Sequence, residues 1–99
     1  MIDITKVCTQ ALNHFGKQSQ IMVCMEEMSE LQKELCKHFR GRNNFYDIAE
    51  EIADVQIMLE QMIILFNCRD AVEQWKQVKL LRLRGKMNNY KKEETENDN

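Results

Sequence analysis

The chain has no proline and only three glycines in 99 residues. Residues that end strands and shape tight hairpin turns are therefore scarce, which argues against a sheet-rich fold and for long uninterrupted helices. The four cysteines, Cys8, Cys24, Cys36 and Cys68, form no Cys-x-x-Cys pair, so they match no zinc pattern of that kind. Each lies in a helix-like segment, where a thiol acts as a small hydrophobe. The expectation is free thiols in a reducing, cytoplasmic setting. Charge of one sign is missing too: the net charge is -2, so no global field points to nucleic acid or to an anionic membrane. No signal-peptide pattern is present. The densest apolar stretch, Ile57 to Phe66, is broken by Glu60 and Gln61 and is too short to span a bilayer.

What remains is 43% hydrophobic and 30% charged, a globular rather than a disordered composition. Ninety-nine residues make one domain at the small end of what can bury a core. The periodicity predicts four helices and a tail. The first covers 3–15, with Asp3 as N-cap and Ile4, Val7, Cys8, Ala11, Leu12 and Phe15 on one face; Gly16 ends it. The second runs from Ser19 to His38 on a stripe of Ile21, Cys24, Met25, Met28, Leu31 and Leu35. After a turn at Arg40–Asn44, the third runs from Asp47 to Asn67 on Ile48, Ile52, Val55, Leu59, Met62, Ile63 and Phe66. Ile57 and Ile64 fall outside that stripe, and so wide an apolar surface implies a second contact with another subunit. Asp70 and Glu73 read as a capping box for a fourth helix that stops at Gly85, with Trp75, Val78 and Leu81 packing inward. The domain is expected over 1–88, and 89–99 as a polar, disordered tail.

Two six-residue strings repeat: Glu-Glu-Met-Ser-Glu-Leu at 26–31 and Glu-Glu-Ile-Ala-Asp-Val at 50–55. At about 100° per residue, Glu51 falls inside the apolar sector of its helix and Asp54 about 60° to its side. Glu27 lies between Val23 and Leu31, and Glu30 one step further out on the stripe Gln20, Val23, Glu27, Glu30, Glu34. Glu26, Glu50 and Glu60 face water. An antiparallel hairpin folded about Arg42 brings Glu30 level with Asp54 and clusters the four acids within about 5 Å of one level. Four carboxylates so placed repel one another, and some must protonate unless a cation binds. Oxygen donors without His or Cys favour a hard ion, Mg²⁺ or Mn²⁺. A di-iron centre would need a Glu-x-x-His that neither string supplies.

Glu-x-x-Glu, twenty intervening residues, then Glu-x-x-Asp resembles the MazG-like all-α nucleoside triphosphate pyrophosphohydrolases, most closely in "EEMSELQKEL" and "EEIADVQIMLEQM" and over about residues 14 to 84. The resemblance implies a helical hairpin or four-helix bundle completed by oligomerisation, as homodimer or homotetramer. It implies Mg²⁺-dependent cleavage of an NTP or dNTP to the monophosphate and pyrophosphate. Glu27, Glu30, Glu51 and Asp54 would then be the metal ligands, with Glu27 and Glu30 the candidates for activating water. Lys79 and Arg82 would meet the triphosphate, with Lys37, Arg40 and Arg42 weaker candidates, and Gln20 would reach a base edge or ribose. The competing expectations are a non-catalytic helical oligomeric interaction module and a metal-dependent hydrolase of another phosphoanhydride.

Overall fold

A computed structural model describes residues 1–97, with side chains through Asn89. It contains four helices, α1 (Ile4–Phe15), α2 (Lys17–Phe39), α3 (Phe45–Phe66) and α4 (Arg69–Asn97), and no strand among the described residues. The all-α expectation holds, and no helix among the described residues is long and apolar enough to cross a membrane.

The helix ends follow local chemistry. Asp3 caps α1, its carboxylate accepting from the Lys6 N–H at 3.2 Å. Gly16, at φ 95°, closes α1 by donating its N–H to the Leu12 carbonyl and starts α2 at once. That conformation is open to glycine and strained for other residues. So tight a junction explains why α2 begins at Lys17, two residues before the expected Ser19. The second turn is built on Gly41, at φ 99°, and Asn67 in the left-handed region ends α3.

Helices α1, α2 and α3 pack against one another within one compact unit, Met1–Asn67. Its buried apolar residues are Cys8, Leu12, Cys24, Val55 and Met58, and they share the interior with Gln20, Asn44 and Gln61. The Cys8 thiol points at the Ile57 carbonyl, 3.8 Å away, which ties α1 to α3. Glu60, expected in water, is half-buried. Burial, and then the Glu60 charge, push the Cys8 thiol up from its ordinary value.

The inward face of α2 differs from the apolar stripe predicted for it. Gln20, Val23, Cys24, Glu27, Leu31 and Glu34 are buried or half-buried, whereas Met25, Met28 and Leu35 are exposed. The physical reason is a polar tie at the turn. Asn44 is buried, and its Nδ2 donates to both the Glu34 carbonyl (2.9 Å) and Glu34 Oε2 (2.7 Å). The other Glu34 oxygen accepts from Lys37 Nζ at 2.9 Å. This linkage turns the Gln20–Glu27–Glu34 side of α2, spaced by sevens, toward α3. Asn44→Ala removes both bonds and should cost about 1–3 kcal/mol of stability, readable as a lower urea midpoint with the m-value unchanged.

Helix α4 belongs to a second unit that begins at Cys68. It starts at Arg69, so Asp70 lies in its first turn rather than capping it. Glu73 pairs with Lys76 at 3.3 Å instead of closing a capping box. The helix runs through Gly85, an interior glycine costing about 1 kcal/mol relative to alanine but not a stop. Trp75, Val78 and Leu81, expected to pack inward, are exposed; a single helix has no second layer of its own to cover them. The tail expected over 89–99 falls mostly on side chains, and at 98–99 on backbone, outside the described residues.

Candidate metal centre

The two acidic strings sit on facing helices of the hairpin. Each places two carboxylates at i and i+3, one turn apart on the same side. Glu27 from α2 and Glu51 and Asp54 from α3 are all half-buried. Each has a carboxylate oxygen in a set whose members lie within 4.8 Å of one another. Glu30 is exposed and lies outside that set, yet its charge is felt by both Glu27 and Glu51. Glu26 and Glu50 are exposed, as the helical wheel predicts.

Protonation records the crowding. Burial first, and then the Asp54 charge, raise the Glu27 carboxyl above its ordinary value; a protonated Glu27 donates a hydrogen bond to Asp54. Glu51 is raised for the same reasons, desolvation before the charges of Asp54 and Glu30. Its Oε2 is shielded from solvent and has no hydrogen-bond partner. Glu34, one and two turns further along α2, behaves oppositely. The hydrogen bonds from Asn44 and Lys37 hold its carboxyl below the ordinary value. Glu34 thus has partners for its charge, while Glu27, Glu51 and Asp54 crowd one another.

Glu27 is the α2 acid in the set with Asp54. A fold symmetric about Arg42 would instead set Glu30 level with Asp54. The Asn44 tie to Glu34, ten residues back in the chain, shifts the contact toward Glu27. Gln20 is buried two turns before Glu27 on the same side of α2. Lys79 and Arg82 line a shallow concavity of about 340 Å³ with Leu83 and Lys86 on α4, within the second unit. Lys37, Arg40 and Arg42 surround another at the turn, where Arg40 lies thirteen residues, about 20 Å of helix, from Glu27.

Asn44 and Gln61 were not singled out from the sequence. Both are buried, and the side-chain oxygen of each has no hydrogen-bond partner. A sequence signal existed: Asn44 precedes Glu51 by seven residues and Gln61 follows Asp54 by seven. That spacing puts polar groups along the seam with α2, where only apolar residues were sought.

An all-oxygen donor set with a partnerless inward oxygen fits a hard divalent cation such as Mg²⁺ or Mn²⁺. Such an ion would offset the repulsion that raises the Glu27 and Glu51 carboxyls. No protein-family model, curated protein or solved structure matches this chain.

Proposed function

We propose that the chain is a MazG-like, Mg²⁺-dependent pyrophosphohydrolase that converts an NTP or dNTP to the nucleoside monophosphate and pyrophosphate. The observation that carries this reading is the enclosed, partnerless Oε2 of Glu51 beside the carboxylates of Glu27 and Asp54. Carboxylates gathered in the seam of a helix pair are costly to the fold, and a reaction that needs a cation gives them a use.

Glu27, Glu51 and Asp54 would hold the ion, with Glu30 joining them from the exposed edge. The bound ion supplies charge neutralisation at the phosphate oxygens. Glu30, being exposed beside the triad, is the better candidate to orient the attacking water; Glu27 is the alternative. The base takes the proton as water oxygen bonds to the α-phosphorus. The bond from that phosphorus to the bridging oxygen breaks, and pyrophosphate leaves. Gln20, buried on the same side of α2 as Glu27, would meet the base or ribose. The exposed Met25, Met28, Leu59 and Phe66 support assembly as a homodimer or homotetramer; the free thiols suit a cytoplasmic setting.

The test is pyrophosphate release from a panel of NTPs and dNTPs with Mg²⁺. Turnover of at least one, lost on chelation, is the expected result. The absence of turnover across the panel would overturn the reading. Widening the panel to other phosphoanhydrides separates the neighbouring enzyme class, and the same exposed apolar face would serve a non-catalytic oligomeric module if none is cleaved.

A further inference from the structure

We propose that the tip of the α2–α3 hairpin binds single-stranded nucleic acid, by stacking bases on exposed aromatic rings and pairing phosphates with two arginines. The segment 37–46 reads Lys-His-Phe-Arg-Gly-Arg-Asn-Asn-Phe-Tyr. No acid lies between Glu34 and Asp47, so the tip is a local cationic patch on a chain of net charge -2. The Lys37 charge is engaged by Glu34. Arg40 spends its Nε on the Cys36 carbonyl at 3.3 Å and is exposed. Arg42 is exposed as well.

Three aromatic rings flank these cations and are nearly bare: Phe39 is 91%, Tyr46 84% and Phe45 69% exposed. Phe45 and Tyr46 meet edge to face, with centroids 5.3 Å apart, so the two rings present faces in different directions. Isolated apolar side chains on a surface need no explanation. Three aromatics within eight residues, interleaved with arginines, do. Concavities surround the same tip: one of about 370 Å³ lined by Leu35, Cys36, Phe39 and Arg40, one of about 390 Å³ among Lys37, Arg40 and Arg42, and one of about 290 Å³ that includes His38, Asn43 and Phe45.

Charge decides the occupant. A second copy joined tip to tip would set Arg40 and Arg42 against the same arginines, with no acid between Glu34 and Asp47 to meet them. A phosphodiester strand supplies one anion per nucleotide, and its unpaired bases offer faces to the rings. A duplex hides those faces, so single strands are favoured. Arg40 lies about 20 Å along α2 from Glu27, whereas Phe45 and Tyr46 lie about 9 and 7.5 Å of helix before Glu51 on α3, so the Glu51→Gln variant is the control that separates the two sites.

The experiment is fluorescence anisotropy of labelled single-stranded DNA and RNA oligonucleotides against the full chain at low salt. Binding should weaken with salt at a log–log slope of about -1.4, two phosphate contacts at about 0.7 each. Arg40→Ala with Arg42→Ala should flatten that slope. Phe39→Ala should weaken binding about tenfold. Glu51→Gln should bind as the parent does, which separates this site from the proposed metal centre. Because the substituted side chains are exposed, circular dichroism should report unchanged helix content. No binding at low salt, equal affinity for a duplex of the same sequence, or indifference to both sets of substitutions overturns the proposal. So does a change in assembly mass on Phe39→Ala without a change in affinity, which would assign the tip to a second copy.

Discussion

Glu51→Gln is expected to lower kcat/KM for pyrophosphate release by about a thousandfold or more, the scale of losing one group that stabilises transition-state charge. The substitution keeps the size of the side chain, removes the negative charge and replaces one acceptor oxygen by an NH2 donor, which the neighbouring Asp54 can accept. The metal-free fold should not suffer. Glu51 is desolvated and repelled by Asp54 and Glu30, and its Oε2 makes no hydrogen bond that the amide would forfeit. The melting temperature without Mg²⁺ should therefore hold or rise while activity disappears. Glu50→Gln, at the exposed neighbour, should leave both unchanged. Glu34→Gln should show the reverse pattern, a weaker fold through loss of the Lys37 and Asn44 contacts. Parent-like turnover by Glu51→Gln would remove the triad from the chemistry.

The second large effect concerns pH and metal together. Glu27 and Glu51 are raised in the fold. Their protonated forms therefore favour folding fully below the unfolded-chain value, and that contribution is lost as pH rises through the raised native values. Glu34 is lowered, so its contribution is present above the unfolded-chain value and is lost only as pH falls through its native one. A metal-free melt should consequently lose stability from the ordinary carboxylate range upward, with Glu34 opposing only at more acidic pH. Mg²⁺ should reverse the upper limb, because ligand carboxylates must lose their protons to bind it. At a hundredfold excess over Kd it stabilises by about 2.7 kcal/mol, about 10–20 °C in a chain of this size. The shift should be large at pH 8, small at pH 5 and absent in Glu51→Gln. Melting curves with and without Mg²⁺ at both pH values check this, and a Mg²⁺ shift that survives in Glu51→Gln would place the ion elsewhere.

Much of the local structure was legible in particular residues. Asp3 and Gly16 mark the ends of α1 because capping and positive φ are properties of one residue and its immediate neighbours. Asp70 and Gly85 misled for the same reason. A capping box and a stop glycine are preferences, and a helix can start one residue earlier or run through when its neighbours favour helix. The facing of Glu27, Glu51 and Asp54 followed from helical spacing, but the register did not. A hairpin's register depends on side-chain ties across the turn, and the seven-residue spacing of Asn44 from Glu51 does not name Glu34 as its partner. The outward position of Met25, Met28 and Leu35 was equally hidden. Periodicity finds an apolar stripe but cannot say whether the chain's own helices or another surface will cover it.

The linear order of residues accounts for the all-helical architecture, the hairpin and the pairing of acids at i and i+3, since each depends on contacts within about one turn. Which acids share a site was a matter of packing. Once Asn44 is bound to Glu34, α2 turns its polar side inward, Glu34 becomes a satisfied structural residue, and Glu27 is brought against Glu51 and Asp54 while Glu30 remains at the exposed edge. Composition could show that four carboxylates were available. Burial and cross-helix distance, which exist only in the folded chain, left three of them crowded together and one oxygen of Glu51 without a partner.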